Sequence, residues 1–466
     1  MARRLTRKEF LATAAAGTGA LAFPRLGFSA GSGVASFVSA PSLKPPTLSV
    51  TTLAGPQPGY VFVTTLTGPG QRGPMIVDDR GQVVWFKATS EVAIDFRRQI
   101  YQGKPVLTWW QGQISAIGTG QGVGVIVDDT YTQIAQVAAG NGYFADVHEF
   151  LLTPEGTALI TVYNEVTRDL TSVGGPASAP VLDSIVQEID VKSGAVLFEW
   201  HSLDHIPFTD SYSPILNPYD YFHVNSIDVH PDGNLVISAR NTSAVYKLDR
   251  KTGDVLWTLG GRSSDFEMGP ASFFMYQHDA RPHTDGTLTL YDDGPSSSSK
   301  QSRAIRLGLD LGAMRADLLQ AYAHPTPLAS TAMGNAQVLP DDGFFVGWGT
   351  EPYVTEFGPL GDVRFDATFD GGAWNYRAFR NTWDGRPKTK PQVAVRKRSG
   401  GATVYVSWNG STETAFWRVQ AGQSVKTVKR SGFETVIPIA ASSGVVSVTA
   451  LDAAKRTLAS SAAVTI

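Results

Sequence analysis

The feature that most restricts the fold is a phrase that recurs along the 466-residue chain: a short strand, a Pro/Asp/Gly turn and a second, apolar strand. It reads His148-Glu149-Phe150-Leu151-Leu152, Pro154-Glu155-Gly156, then Ala158-Leu159-Ile160-Thr161-Val162. It returns as Asn225 to Val229 with Pro231-Asp232-Gly233 and Leu235 to Ile237, at His278 with Asp285-Gly286 and Leu288 to Tyr291, and at Asn335 with Asp342-Gly343 and Phe344 to Trp348. Each is a hairpin whose turn residues supply the backbone angles of a tight reversal. A second phrase lies between them: a strand ending near Asp, a turn ending in Gly, and another apolar strand. Val245 to Asp249 with Gly253 and Val255-Leu256-Trp257 spells it most clearly, and Ile76 to Trp85, Ile189 to Phe198 and Val354 to Val363 repeat it.

Two such hairpins make a four-stranded sheet that cannot bury its faces alone, so successive units must stack around an axis. Pairing the phrases predicts units beginning near residues 99, 148, 223, 278 and 334, with the segment 48–87 as a sixth. The expected architecture is all-β: a six-bladed β-propeller over residues 45–383. The unit beginning near 148 is long because of two insertions, Ser172 to Pro180 and the aromatic loop His205 to Tyr221. Many short strands joined by tight turns agree with 47 Gly, 27 Pro and 23 Phe. The basic, proline-punctuated stretch Arg386 to Pro391 reads as a linker. Alternating strands such as Thr403 to Trp408 and Val445 to Ala450 then predict a small immunoglobulin- or fibronectin-like β-sandwich over residues 388–466.

A net charge of −3 with no long run of one sign gives no field for gripping nucleic acid or anionic membrane. The absence of cysteine excludes disulfides, thiolate nucleophiles and Cys-ligated metal. At the N-terminus Arg3, Arg4, Arg7 and Lys8 precede an apolar, Ala-rich stretch from Phe10 to Phe23, too short to span a membrane but suited to a signal-peptide core. Thr6-Arg7-Lys8-Glu9-Phe10-Leu11 resembles a twin-arginine signal with Lys in the second basic position. Residues 1–40 are therefore expected to be an export leader, cut near Gly33 to Ala35. The mature chain is expected outside the cytoplasm, extracellular or in the cell envelope, and free of the membrane.

Counting back eight residues from the turn glycine of each repeat lands on His148, Asn225, His278 and Asn335. Equivalent positions of stacked units ring one level of an axis, so these side chains are expected to converge. His223 lies two residues before Asn225, on the same strand face. Polar groups where apolar packing would be cheaper need partners, whether water, backbone or a ligand. Arg240 ends the second strand of the same unit. A guanidinium beside imidazoles and amides is suited to an oxyanion such as sulfate or phosphate. Its purely structural role would be an ion pair with Asp220 or Asp228. Asp279, next to His278, could orient that ring, but strand alternation favours its pointing into its own sheet. Asp292-Asp293 and Asp341-Asp342 read as hairpin-turn residues, and His201, His205, His230, His283 and His324 as surface residues.

At Asp146 to Phe150, Phe222 to Ile227, Ile237 to Asn241 and Gln277 to Ala280 the sequence resembles the arylsulfotransferases, which move a sulfuryl group between phenols without a nucleotide donor. The resemblance covers roughly residues 45–380. It implies a sulfohistidine intermediate on His278, with His148, His223, Asn225 and Arg240 holding the sulfuryl oxygens and His148 or His223 moving the proton. Asn335 and Tyr221 complete the expected substrate-binding set. The implied partners are a small phenolic sulfate ester and a phenol acceptor, with no cofactor and no metal. The C-terminal segment around Val406 to Gly410 looks like that of the actinobacterial and fungal branch. Two other functions fit less of the chain: a non-catalytic, ligand-binding or scaffold propeller, and a quinone-dependent dehydrogenase, whose blade signature Leu248 to Trp257 resembles once. A calcium-dependent hydrolase would want more carboxylates at the ring positions.

Overall fold

The computed structural model describes residues 33–294 and 301–466. The expected leader lies outside the described residues as far as residue 32. From Val34 onward the chain is packed: Ala40 is buried, the Phe37 and Phe433 rings are 4.2 Å apart, and Ser39 Oγ donates to Glu434 Oε2 at 2.6 Å. No helix among the described residues is long and apolar enough to cross a membrane.

Among the described residues the regular structure is nearly all β, in antiparallel sheets apart from the parallel pairing of Glu267–Met268 with Arg315–Tyr322. Six of these lie between Leu48 and Asn381, each with an inner strand at one end of its order. These strands are β1 (Val92–Tyr101), β2 (Phe150–Leu152), β3 (Val224–Val229), β4 (His278–Pro282), β5 (Asn335–Val338) and β6 (Phe379–Asn381). The unit expected near residue 99 thus starts earlier, at Val92. The segment 48–87 does not form a sheet by itself. Leu48–Leu53 adds to the outer strand Val363–Phe369 of the β5 sheet, and β6 completes the sheet begun by Tyr60–Val63. Gly156, Gly233 and Gly286 turn the first three repeat hairpins at φ of 85°, 90° and 79°, whereas in the fourth Asp342, not Gly343, takes the left-handed position at 66°.

Each sheet shares a buried apolar cluster with the next. Ile76 and Phe62 meet Phe96 and Leu107; Val106 and Ile126 meet Phe150 and Ile160; Leu159 and Val186 meet Ile227 and Ile237. Val236 and Leu259 then meet Leu288 and Ile305, and Tyr291 and Ala304 meet Phe344 and Val346. Phe345, Val354 and Phe365 finally meet Val61, Met75 and Val77, so that the sixth sheet packs on the first. Burial of such side chains, at about 1.5–3 kcal/mol each, is what holds one sheet on the next.

Beyond residue 391 two further sheets share one core through Val404, Val406, Trp417, Val419, Val446 and Val448. They are tied to the outer strand Val83–Phe86: the Asn409 amide accepts from Phe86 N at 3.0 Å and donates to Phe86 O at 2.8 Å, and Gly410 N donates to Val84 O at 2.9 Å.

Candidate active site

Three histidines stand at the N-terminal ends of β2, β3 and β4, and all three use Nδ1 to bind a carboxylate. His148 Nδ1 is 2.5 Å from Asp146 Oδ1, His223 Nδ1 is 2.5 Å from Asp220 Oδ2, and His278 Nδ1 is bonded to Asp293 Oδ2. The His148 and His223 rings meet edge to face at 4.7 Å, and both lie against Tyr163. His223 takes a left-handed backbone at φ 61°, and its carbonyl accepts from Arg240 N at 2.9 Å, which sets the arginine beside it.

His278 is buried, and two backbone groups decide its tautomer. The Tyr276 carbonyl, 3.1 Å from Nδ1, can only accept, and the Met333 N–H, 3.3 Å from Nε2, can only donate. The proton is therefore on Nδ1 and the lone pair on Nε2. Burial, followed by the charge of Arg240, pushes this imidazole well below the ordinary histidine range, so it is neutral. His223 is also lowered, by burial against the opposing pull of Asp220. Asp146 behaves differently: burial would raise it, but His148 and the backbone N–H groups of Gly120 and His148 hold it below the usual carboxylate range.

Arg240 Nη1 donates to Asn241 Oδ1 at 3.0 Å and Nη2 to Thr331 O at 3.2 Å, while its Cζ lies 4.9 Å over the Tyr276 ring. The carboxylates that might have braced it are otherwise engaged: Asp220 with His223, Asp228 3.8 Å from Arg281. Among the described residues Arg240 has no ion pair. It is a cation held by neutral groups, beside the histidines.

The remaining candidates lie elsewhere or are committed. Asn335 gives Nδ2 to Ala378 O and takes Ala378 N on Oδ1, both at 2.8 Å, so its amide joins β5 to β6. Asn225 Nδ2 donates to Gln277 O at 2.7 Å, joining β3 to the segment before β4. Each amide thus spends one of its two N–H groups on backbone. Tyr221 is fully buried against Phe208, ring to ring at 4.9 Å, in the core between the β2 and β3 sheets. His324, expected at the surface, is buried against Trp348 and Tyr353, with Nε2 3.2 Å from Asp366.

Two aspartates exchange the places the sequence suggested. Asp293, read as a turn residue, binds His278. Asp279 does not point into its own sheet: at φ 56°, with the register of β4 shifted between His278 and Arg281, it lies 2.7 Å from Arg281 and 3.4 Å from Arg377. There it joins a buried ion network that sequence reasoning missed. Glu149 binds Arg97 and lies 2.6 Å from Arg281 and 3.2 Å from Arg377, and Asp95 lies 3.0 Å from Arg97 and 3.1 Å from Arg377. The one sequence signal for it was a run of charges at inner-strand positions, where apolar residues are the rule. Among the described residues no group of three or more His, Asp or Glu is arranged to hold a metal ion.

Three imidazoles held on Nδ1 by aspartates, of which Asp293 is pushed by burial well above the usual carboxylate range against the pull of Arg240, and a guanidinium free of ion pairs can bind an oxyanion, attack through a ring nitrogen and carry a proton. Among solved structures the chain is similar to a protein of unknown function from Bacteroides caccae (10% identity, 69% of this chain and 98% of that one, TM-score 0.42). It is also similar to AztD of Citrobacter koseri (11%, 70% and 98%, 0.37) and to virginiamycin B lyase from Staphylococcus aureus (11%, 86% and 95%, 0.27). None is close enough to bear on function, and no curated protein matches by sequence. The family model described as arylsulfotransferase (ASST) does match, over residues 97–370, a span that contains all three histidines and Arg240, and the chain belongs to that family.

Proposed function

We propose that the protein transfers a sulfuryl group from an aryl sulfate to a phenol through a covalent intermediate on His278. The observation that carries this reading is the tautomer of His278: a neutral ring with its proton on Nδ1 toward Asp293 and its lone pair on Nε2. In the first half-reaction Nε2 attacks sulfur, the N–S bond forms as the bond from sulfur to the aryl oxygen breaks, and the electron pair leaves with that oxygen. The Met333 N–H, a long contact at 3.3 Å, gives way to the incoming sulfur. His148 protonates the leaving phenolate, because Asp146, held ionised beside it, is the counter-ion an imidazolium needs. In the second half the acceptor's O–H returns a proton to His148, its oxygen attacks sulfur, and the N–S pair returns to His278. Transfer of this kind passes through a loose transition state, by analogy with phosphoryl transfer, so charge on the equatorial oxygens is what Arg240 must meet.

The six sheets are, on this reading, the blades of a propeller closed by β6, and the last two are the layers of a sandwich docked on its rim. The basic, apolar N-terminus directs the chain out of the cytoplasm, and the C-terminal segment supports the actinobacterial and fungal branch.

The test is to incubate the pure protein with a chromogenic aryl sulfate. A burst of phenol is expected, with an acid-labile adduct of one SO3 on the His278 peptide, and none in His278→Ala. An adduct on another histidine reassigns the nucleophile; no burst and no adduct with any donor leaves a propeller that binds without transferring.

A further inference from the structure

The inner strands run from the histidines, past the ion network, to a second feature at their C-terminal ends. Ile100, Leu151, Asp228, Arg281, Val338 and Phe379, one residue from each of β1 to β6, line a cavity of about 960 Å³. On β2 and β4 the order is His148, Glu149, Leu151 and His278, Asp279, Arg281, so the buried network lies between the histidines and this cavity. The cavity is therefore separate from the site of transfer.

Its walls are largely apolar, and its charges divide into committed and uncommitted. Arg97 and Arg281 share Glu149, and Arg380 is held by Asp79 and Glu356. Arg98, half-buried on β1, has no hydrogen bond or ion pair among the described residues. It also borders a cavity of about 720 Å³, but there Asp128, Asp129 and Asp384 share the lining with Lys104 and with Arg386, which lies 3.8 Å from Asp129, so that side offers no apolar chamber with a single cation. On the larger side both lining carboxyls face arginines: Asp279 lies 2.7 Å from Arg281, and Asp228, which burial raises to about 6, lies 3.8 Å from Arg281. A roomy apolar chamber with one unpaired cation at its edge is complementary to a molecule with an apolar body and a single negative group.

We propose that this cavity is a second ligand site, which takes an amphiphilic organic anion with its charged group on Arg98 and its apolar body against Ile100, Leu151, Val338 and Phe379. The site stands whether or not the protein transfers sulfuryl groups, since the test reads binding and not turnover. The probe is 8-anilinonaphthalene-1-sulfonate, whose carbon-bound sulfonate cannot be transferred and whose emission rises in apolar surroundings. Titrated into the full chain, it is expected to saturate one site. Arg98→Gln should weaken it about tenfold or more, and so should Ile100→Glu, which places a like charge at a position 44% exposed and tolerant of substitution. Binding should persist in His278→Ala. Absence of saturable binding overturns the proposal, as does binding that survives both Arg98→Gln and Ile100→Glu, or binding that disappears in His278→Ala while the melting temperature is unchanged.

Discussion

Two polar levels lie next to each other in the inner strands, and they are built to opposite ends. At one, Glu149, Asp95 and Asp279 face Arg97, Arg281 and Arg377, and every charge has an opposite partner. One residue earlier in the chain, His148 and His278 meet a carboxyl group on Nδ1 alone, the Nε2 of His278 has only the long Met333 N–H contact, and the neighbouring Arg240 has neutral partners. Both levels are buried, so burial of charge does not itself mark a site. What distinguishes the histidine level is pairing left incomplete, on the ring nitrogen that chemistry would use.

The comparison breaks most readily at Glu149. Burial alone would raise its carboxyl, but Arg281, Arg377 and Arg97 overcome this and hold it far below the usual range. Glu149→Gln leaves three buried guanidiniums short of charge, and the expected loss is about 3–5 kcal/mol of unfolding free energy, read by denaturant titration. A loss under about 1 kcal/mol would mean the network is not a stability element. Next in size is Arg240→Lys, which should leave that titration unchanged while turnover falls roughly a hundred- to thousandfold, because a point charge cannot replace the planar fork. Unchanged turnover removes Arg240 from the reaction. Asp293→Asn should cost about tenfold to a hundredfold in kcat with KM little altered, since the amide can present its N–H to Nδ1 and favour the wrong tautomer. Retained kcat would show that the Tyr276 carbonyl suffices.

The smallest expected effect separates the levels by pH. The folded pKa of His223 is lowered, so below about 6.5 the unfolded chain takes up a proton that the folded chain does not, and stability falls as pH falls from there. Glu149, also lowered, acts in the same direction in a more acidic window: its contribution is present above its unfolded value of about 4.3 and is lost as pH falls below that. Between pH 6.5 and 5 the histidine level alone should lose stability, by at most about 1.4 kcal/mol per unit from each of its lowered histidines, His223 and His278. His223→Ala should flatten that slope; an unchanged slope would place its origin elsewhere.

The hairpin repeat was legible because turn residues and strand alternation are local; His148 and His278 were legible because they recur at one offset from the turn, and His223 because it lies two residues before the same offset. Asp279 and Asp293 were not. Alternation assigns neighbours to opposite faces only in a regular strand, and the left-handed Asp279 with its register shift breaks that rule. Asn225 and Asn335 have as partners backbone groups of the next inner segment, which periodicity cannot supply. Tyr221 and His324 were assigned by neighbours in sequence, whereas packing with Phe208 and Trp348 decides their burial.

The way the ring of sheets closes has a consequence for synthesis. Leu48 pairs with Phe369 and Tyr60 with Asn381, so the first strands made find their partners only when the far end of the region has emerged. At roughly 5–20 residues per second that interval is on the order of tens of seconds, during which Tyr60–Val63 has an unpaired edge. Contacts of such long range are slow to form, because loop-closure entropy opposes them before any packing rewards them. The last event in folding is then the seating of β6, and a chain stopped before Phe379 would keep an open edge able to recruit another chain.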